Sequence, residues 1–109
     1  MAGPVSVPLA PPAEPDLDWA VTPRGGRTEP GRPLADLDEI EEVLALLAPG
    51  DVVDISRPGV CVTQLEVGAA DSVEVSLVPI VGPPVRELVR ASDLRATLER
   101  AVAWLQAQP

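Results

Sequence analysis

Histidine, tyrosine, phenylalanine and lysine are all missing from this 109-residue chain, and cysteine occurs once, at Cys61. Without imidazole, no Ser-His or Cys-His nucleophile pair can form within the chain. One thiol makes neither an internal disulfide nor a cysteine-based zinc site. Acid–base chemistry would have to rest on carboxylates such as Glu66 and Glu74, which serve only where their surroundings push the two pKa values apart. The chain therefore reads as a non-enzyme, with no catalytic residues, no cofactor and no metal. Its aromatics are Trp19 and Trp104 alone. A core has to be built from Val, Leu, Ile and Ala.

Positive charge is also scarce. Seventeen acidic residues face eight arginines, for a net charge of −9. Phosphate binding needs a basic surface, so nucleic acid is excluded as a direct partner. The same surface repels anionic membranes and favours a protein partner with basic character. No apolar run approaches membrane-spanning length. Residues 1–13 lack the cation and apolar run of a secretory signal. A soluble, cytoplasmic protein is expected. Richness in Ala, Val, Pro, Gly and Arg fits a G+C-rich bacterial coding sequence.

Proline is unevenly placed, with eight of the 14 in the first 33 residues. Such composition resists helix and central strand. Residues 1–33 are expected to be a flexible Pro/Gly-rich tail, and residues 34–109 a single domain. Trp19 lies within that tail beside Asp16 and Asp18. It either docks on its own domain or serves a partner as an apolar anchor. A domain this short buries a modest core, so self-association is open as a way to complete it.

The domain's first element is a helix over residues 36–48. Asp36 caps it, with Glu39 as capping-box partner. Leu37, Ile40, Leu44 and Leu47 share one face, with Val43 beside them. Pro49-Gly50 ends it. The period then changes to two. Residues 52–56 read as a strand closed by Arg57-Pro58-Gly59, and residues 60–67 and 72–78 as a hairpin. Pairing Val67 with Val73 sets Leu65 opposite Val75 and Thr63 opposite Leu77 on one face. Glu66 then opposes Glu74, and Gln64 opposes Ser76, on the other. A one-residue slip would mix the faces. Residues 85–90 fit a helical turn or a fourth strand, the strand being favoured because the helical stripe loses phase at Ser92. Ser92 is expected to cap a last helix whose apolar face is Leu94, Leu98, Ala101, Val102 and Leu105. The fold class is α+β: a small antiparallel sheet of three to four strands, flanked by an N-terminal and a C-terminal helix.

Two charge features stand out. Asp36, Asp38, Glu39, Glu41 and Glu42 form the densest acidic cluster. It is either a solvated helix face with favourable first-turn charges or a dock for an arginine-rich partner. Glu66 opposite Glu74 places like charges across strands, which weakens a sheet unless Arg57, Arg86 or a partner's cation compensates. With Asp51 and Asp54, these acids are expected to form one extended negative surface. Cys61, on the apolar side of its strand, reads as a small buried hydrophobe.

Gly68-Ala69-Ala70-Asp71-Ser72-Val73 resembles the Asp-Ser-Leu attachment site of acyl carrier proteins, with Val73 in place of Leu. That resemblance implies a modified Ser72 followed by a helix. The order helix, strand, Arg-Pro-Gly turn, valine hairpin, strand and capped helix over residues 34–109 resembles the small immunity proteins of bacterial polymorphic-toxin systems. It implies a non-catalytic inhibitor of a partner protein. On this reading Trp19, Asp36, Asp38, Glu39, Glu41, Glu42, Glu66 and Glu74 are the partner-binding residues. An assembly chaperone, adaptor or small subunit is the second reading.

Overall fold

The structure, a computed structural model, describes residues 17–108. Six strands form one antiparallel sheet in the order β2-β1-β3-β4-β5-β6. They are β1 (Asp18–Thr22), β2 (Arg32–Pro33), β3 (Val52–Arg57), β4 (Cys61–Val67), β5 (Ser72–Pro79) and β6 (Val85–Arg90). Two helices, α1 (Leu37–Leu46) and α2 (Leu94–Ala107), complete the α+β fold. The sheet is thus wider than the three to four strands expected. The added pair comes from residues 17–33, where composition pointed to a flexible tail. Residues 1–16 of that tail lie outside the described residues.

The reason is tertiary. Trp19 and Val21 alternate with the less buried Asp18, Ala20 and Thr22, and β1 pairs along its whole length with β3, from Asp18 opposite Ser56 to Thr22 opposite Val52. Packing on a formed sheet overrides the weak strand propensity of a proline- and glycine-rich context. In β1 and β3 to β6 the odd-numbered residues face the helices. Trp19, Val21, Val53, Ile55, Leu65, Val73, Val75 and Val89 share one core with Ile40, Leu44, Leu94, Leu98 and Leu105. Even-numbered residues face away, and no helix among the described residues covers that side.

The β4–β5 register is the one the alternation demanded: Val67 with Val73, Leu65 with Val75, Thr63 with Leu77, and Glu66 with Glu74. Its turn is tight. Ala70 and Asp71 both take left-handed backbone, at φ 55° and 60°, a conformation better suited to Asn-Gly. The Gly68 amide donates to the Ser72 carbonyl at 2.8 Å, so close that a Cβ on Gly68 would meet Ser72 Oγ at 2.7 Å.

α1 is shorter than expected. Leu47 is already extended, two residues before Pro49, which cannot continue a helix. Asp36 does cap it, accepting from the Asp38 amide at 2.6 Å. Glu39 Oε1 reaches the Ala35 amide at 3.2 Å rather than that of Asp36 itself. The expected Ser92 cap is not made. β6 runs directly into a 3-10 turn, Ala91–Asp93, and the Leu94 helix follows without a side-chain cap. The junction is held instead by the Ala91 amide donating to the Asp71 carbonyl at 2.8 Å.

Two polar residues join the layers. Arg57 donates to the carbonyls of Leu105, Gln106 and Gln108, capping the C-terminal end of α2 with positive charge. Asp51 accepts from the amides of Arg24 at 2.7 Å and Ala48 at 2.9 Å. The Arg24 bond, then the Ala48 bond, lowers the Asp51 carboxyl below the ordinary 3.8. A depressed carboxyl contributes stability above its unfolded value and loses it as pH falls through its folded value. Asp51→Asn is therefore expected to lower the urea midpoint at pH 7. That difference should shrink progressively below pH 3.8, which urea titrations across the acid range would show.

Candidate functional site

The expected site residues divide into three places. The first is the outer surface of the helix layer. Asp36 is occupied as a helix cap, and Glu39 closes the turn before it. Asp38 and Glu41 both accept from Arg95 Nη1 of α2 at 2.6 Å, and Glu99 approaches Arg95 Nε at 3.5 Å. One guanidinium thus gathers three carboxylates from two helices. Glu41 first, then Asp38, holds that guanidinium charged beyond its already high ordinary value. The group lies at the surface, so each pair contributes little to folding. Of Asp36 and the four acids on α1, Glu42 alone is exposed without one of these intramolecular contacts.

The second place is the uncovered face of the sheet. Glu66 and Glu74 stand directly opposite each other there, both exposed. Neither forms an ion pair among the described residues. Arg57 does not compensate them, because it faces the helix layer and caps α2. Arg86 lies opposite Ser76 and Leu88 opposite Glu74 on β6. Asp54 lies on the same face, on β3 opposite Gln64. Burial pushes the Asp54 carboxyl above its ordinary value, opposed by the Gln64 side-chain amide. Its Oδ1 has no hydrogen-bond partner among the protein groups. The even-numbered rows therefore carry a negative middle, Asp54, Glu66 and Glu74, bordered by Arg86 and Arg90 at the β6 edge. The expected single negative surface does not form. The α1 acids and the sheet acids lie on opposite sides of the molecule, and Asp51 spends its carboxylate on two backbone amides.

The third place is the core. Trp19 is 3% exposed and pairs with Arg32 across β1–β2. The Arg32 guanidinium sits over its ring, 5.0 Å from the centroid. This corrects the reading of Trp19 as a partner anchor. An indole enclosed between the sheet and the helices is not presented to another molecule. Cys61 is likewise buried, its Sγ 4.0 Å from the Leu105 carbonyl. Burial pushes its thiol up, with Arg57 opposing, so thiolate is scarce at neutral pH.

Ser72 begins β5, its hydroxyl donating to the Ala69 carbonyl at 2.7 Å. Residues 72–79 are strand, whereas a carrier attachment site needs a helix there. Among the described residues, no group of three or more His, Cys, Asp or Glu side chains is placed to hold a metal ion. No described helix is long and apolar enough to cross a membrane.

Three features went unread in the sequence. Arg95 neutralises part of the acidic helix from more than 50 residues away. β6 is a bare edge strand. Leu46, Ile80, Val81, Val85 and Leu88 are exposed large hydrophobics. The last could have been found: Val85 and Leu88 have opposite parity, so a strand over residues 85–90 cannot bury both on one face. Comparison with protein-family models, with curated proteins and with solved structures finds no match for this chain.

Proposed function

We propose that the chain is a non-catalytic protein-binding module, an inhibitor of the immunity or antitoxin kind, that works in the cytoplasm by covering a basic surface of a partner protein. The observation that carries this reading is the Glu66–Glu74 pair. Two carboxylates opposed across β4 and β5 cost some tenths of a kcal/mol in sheet stability. They stand exposed on the side of the sheet that no described helix covers, with the half-buried Asp54 one diagonal step away. A partner's arginine or lysine set between them would relieve the repulsion and convert it into binding energy. Glu42 supplies a further free carboxylate on the other side, outside the same contact.

The lack of histidine argues in the same direction, since it leaves carboxylates and one buried thiol as the chemistry available. Reversing Glu66→Arg and Glu74→Arg together is expected to weaken partner binding at least about tenfold, as loss of a charge-complementary contact does. Glu41→Arg should leave binding unchanged, because Glu41 is engaged by Arg95. Affinity measurement by calorimetry or surface plasmon resonance checks both. Equal affinity for wild type and the double variant would remove the site assignment.

A second reading is favoured by a different observation. The exposed Ile80, Val81, Val85 and Leu88 suit a small subunit or adaptor that completes its burial against another chain. Light scattering of the purified chain separates the two, a strict monomer at micromolar concentration weighing against a subunit that self-assembles.

A further inference from the structure

The two edges of the sheet are finished very differently. β2 is two residues long and ends in Pro33, which has no amide to donate. β6 is six residues long, contains neither proline nor glycine, and among the described residues pairs only with β5. An edge of that length with apolar residues is normally blunted or covered. Here Val85 is 62% and Leu88 70% exposed.

The helix layer does not close over this edge. Beyond Val89, which is buried in the core shared with Leu94 and Leu98, the described link between β6 and α2 is one loose ion pair, Glu87 to Arg100 at 3.8 Å. On one side of it lies a cavity of about 260 Å³ reaching to Leu77 and Trp104. On the other lies one of about 590 Å³ reaching to Ala96. The bare strand therefore borders a trough floored by α2.

We propose that an extended segment of a partner protein adds to β6 as a further strand, setting alternate apolar side chains into the trough and carboxylates beside Arg86 and Arg90. Strand addition supplies affinity through backbone hydrogen bonds, and the alternate side chains supply specificity. The specificity can be read from parity. Arg86, Leu88 and Arg90 project from the uncovered side of β6. The matching segment carries acid, apolar and acid at every second position, with small apolar residues between. Charge also weighs against a second copy in the two registers centred on β6. Antiparallel self-pairing about Leu88 would set Arg86 against another Arg90, and about Glu87 would set that glutamate against itself. Like charges so opposed weaken a sheet. This edge borders the Glu66–Glu74 patch on the same side of the sheet but asks for the opposite charge and for backbone pairing, so it goes beyond the function proposed above.

The test is titration of the ¹⁵N-labelled full chain with a synthetic peptide, Thr-Glu-Val-Leu-Val-Glu-Thr, capped at both ends. Saturable shifts are expected in the amides of β6 and of Ala96 to Arg100. Arg86→Glu with Arg90→Glu is expected to weaken binding at least about tenfold. So is a peptide with lysine in place of both glutamates. Ala96→Trp, made at an exposed helix position, fills the trough and should abolish binding while the circular dichroism spectrum is kept. Glu66→Arg with Glu74→Arg should bind the peptide no more weakly than wild type does, which separates this inference from the preceding one. It is overturned if no saturable shifts occur, if the lysine peptide binds equally, or if the chain is a dimer that Leu88→Asp dissociates.

Discussion

Replacing Trp19 with alanine is expected to destabilise the protein by about 3–5 kcal/mol, the range for truncating a large buried aromatic. Trp19 is 3% exposed and sits on β1 between β2 and β3. Its ring touches the same core as Ile55 and Leu98 and carries Arg32 above it. The indole Nε1 is buried without a partner, so the loss is one of packing rather than of a hydrogen bond. Domains of this size hold roughly 5–10 kcal/mol in total. The variant should therefore unfold at a small fraction of the wild-type urea concentration, with both strands of residues 17–33 released. A tryptophan on a flexible tail would give no change in midpoint. Trp19→Phe is expected to cost markedly less, because most of the ring volume survives. Urea denaturation followed by far-ultraviolet circular dichroism reads both without relying on tryptophan emission.

Thr63→Val is expected to move stability the other way, by about 1–2 kcal/mol. Thr63 lies at the centre of β4, fully buried among valine, isoleucine and leucine. Its Oγ1 forms no hydrogen bond with any protein group. A buried hydroxyl without a partner costs about 1–3 kcal/mol, and removing it while keeping the shape recovers much of that. Valine preserves the branched outline and favours strand. The urea midpoint and melting temperature should both rise. Thr63→Ala is the control: it removes the same hydroxyl but opens a cavity, so it should gain nothing or lose stability.

What could be read in the sequence and what could not divides by range. The β4–β5 register followed from parity and the short turn, because a one-residue slip would have mixed the apolar face with Glu66 and Glu74. The limits of β6 at Val85 and Arg90 followed from the prolines before it and the change of period after it. Asp36 announced the start of α1. The misses all involve partners distant in the chain. β1 is a strand because β3 is there to receive it, and nothing in Pro23-Arg24-Gly25-Gly26 hints that the chain turns back through β2. Ser92 is a good cap residue, but β6 enters the helix with no intervening loop and leaves it nothing to cap. The acidic run on α1 looked like a surface for others. Arg95 takes up two of its carboxylates, and capping takes up two more. That left the sheet acids, Glu66 and Glu74, whose opposition was visible early and whose isolation from cations was not.

We propose that this molecule acts by contact through the side of its sheet that no described helix covers. Quantitative affinity capture from the native host most directly tests it, with wild type and the Glu66→Arg/Glu74→Arg variant as parallel baits and circular dichroism confirming that both are folded. One protein with a basic contact surface should be retained in near-stoichiometric amount by wild type, bind it directly when purified, and be lost from the variant. Recovery of the same proteins in the same amounts on both baits would contradict the claim.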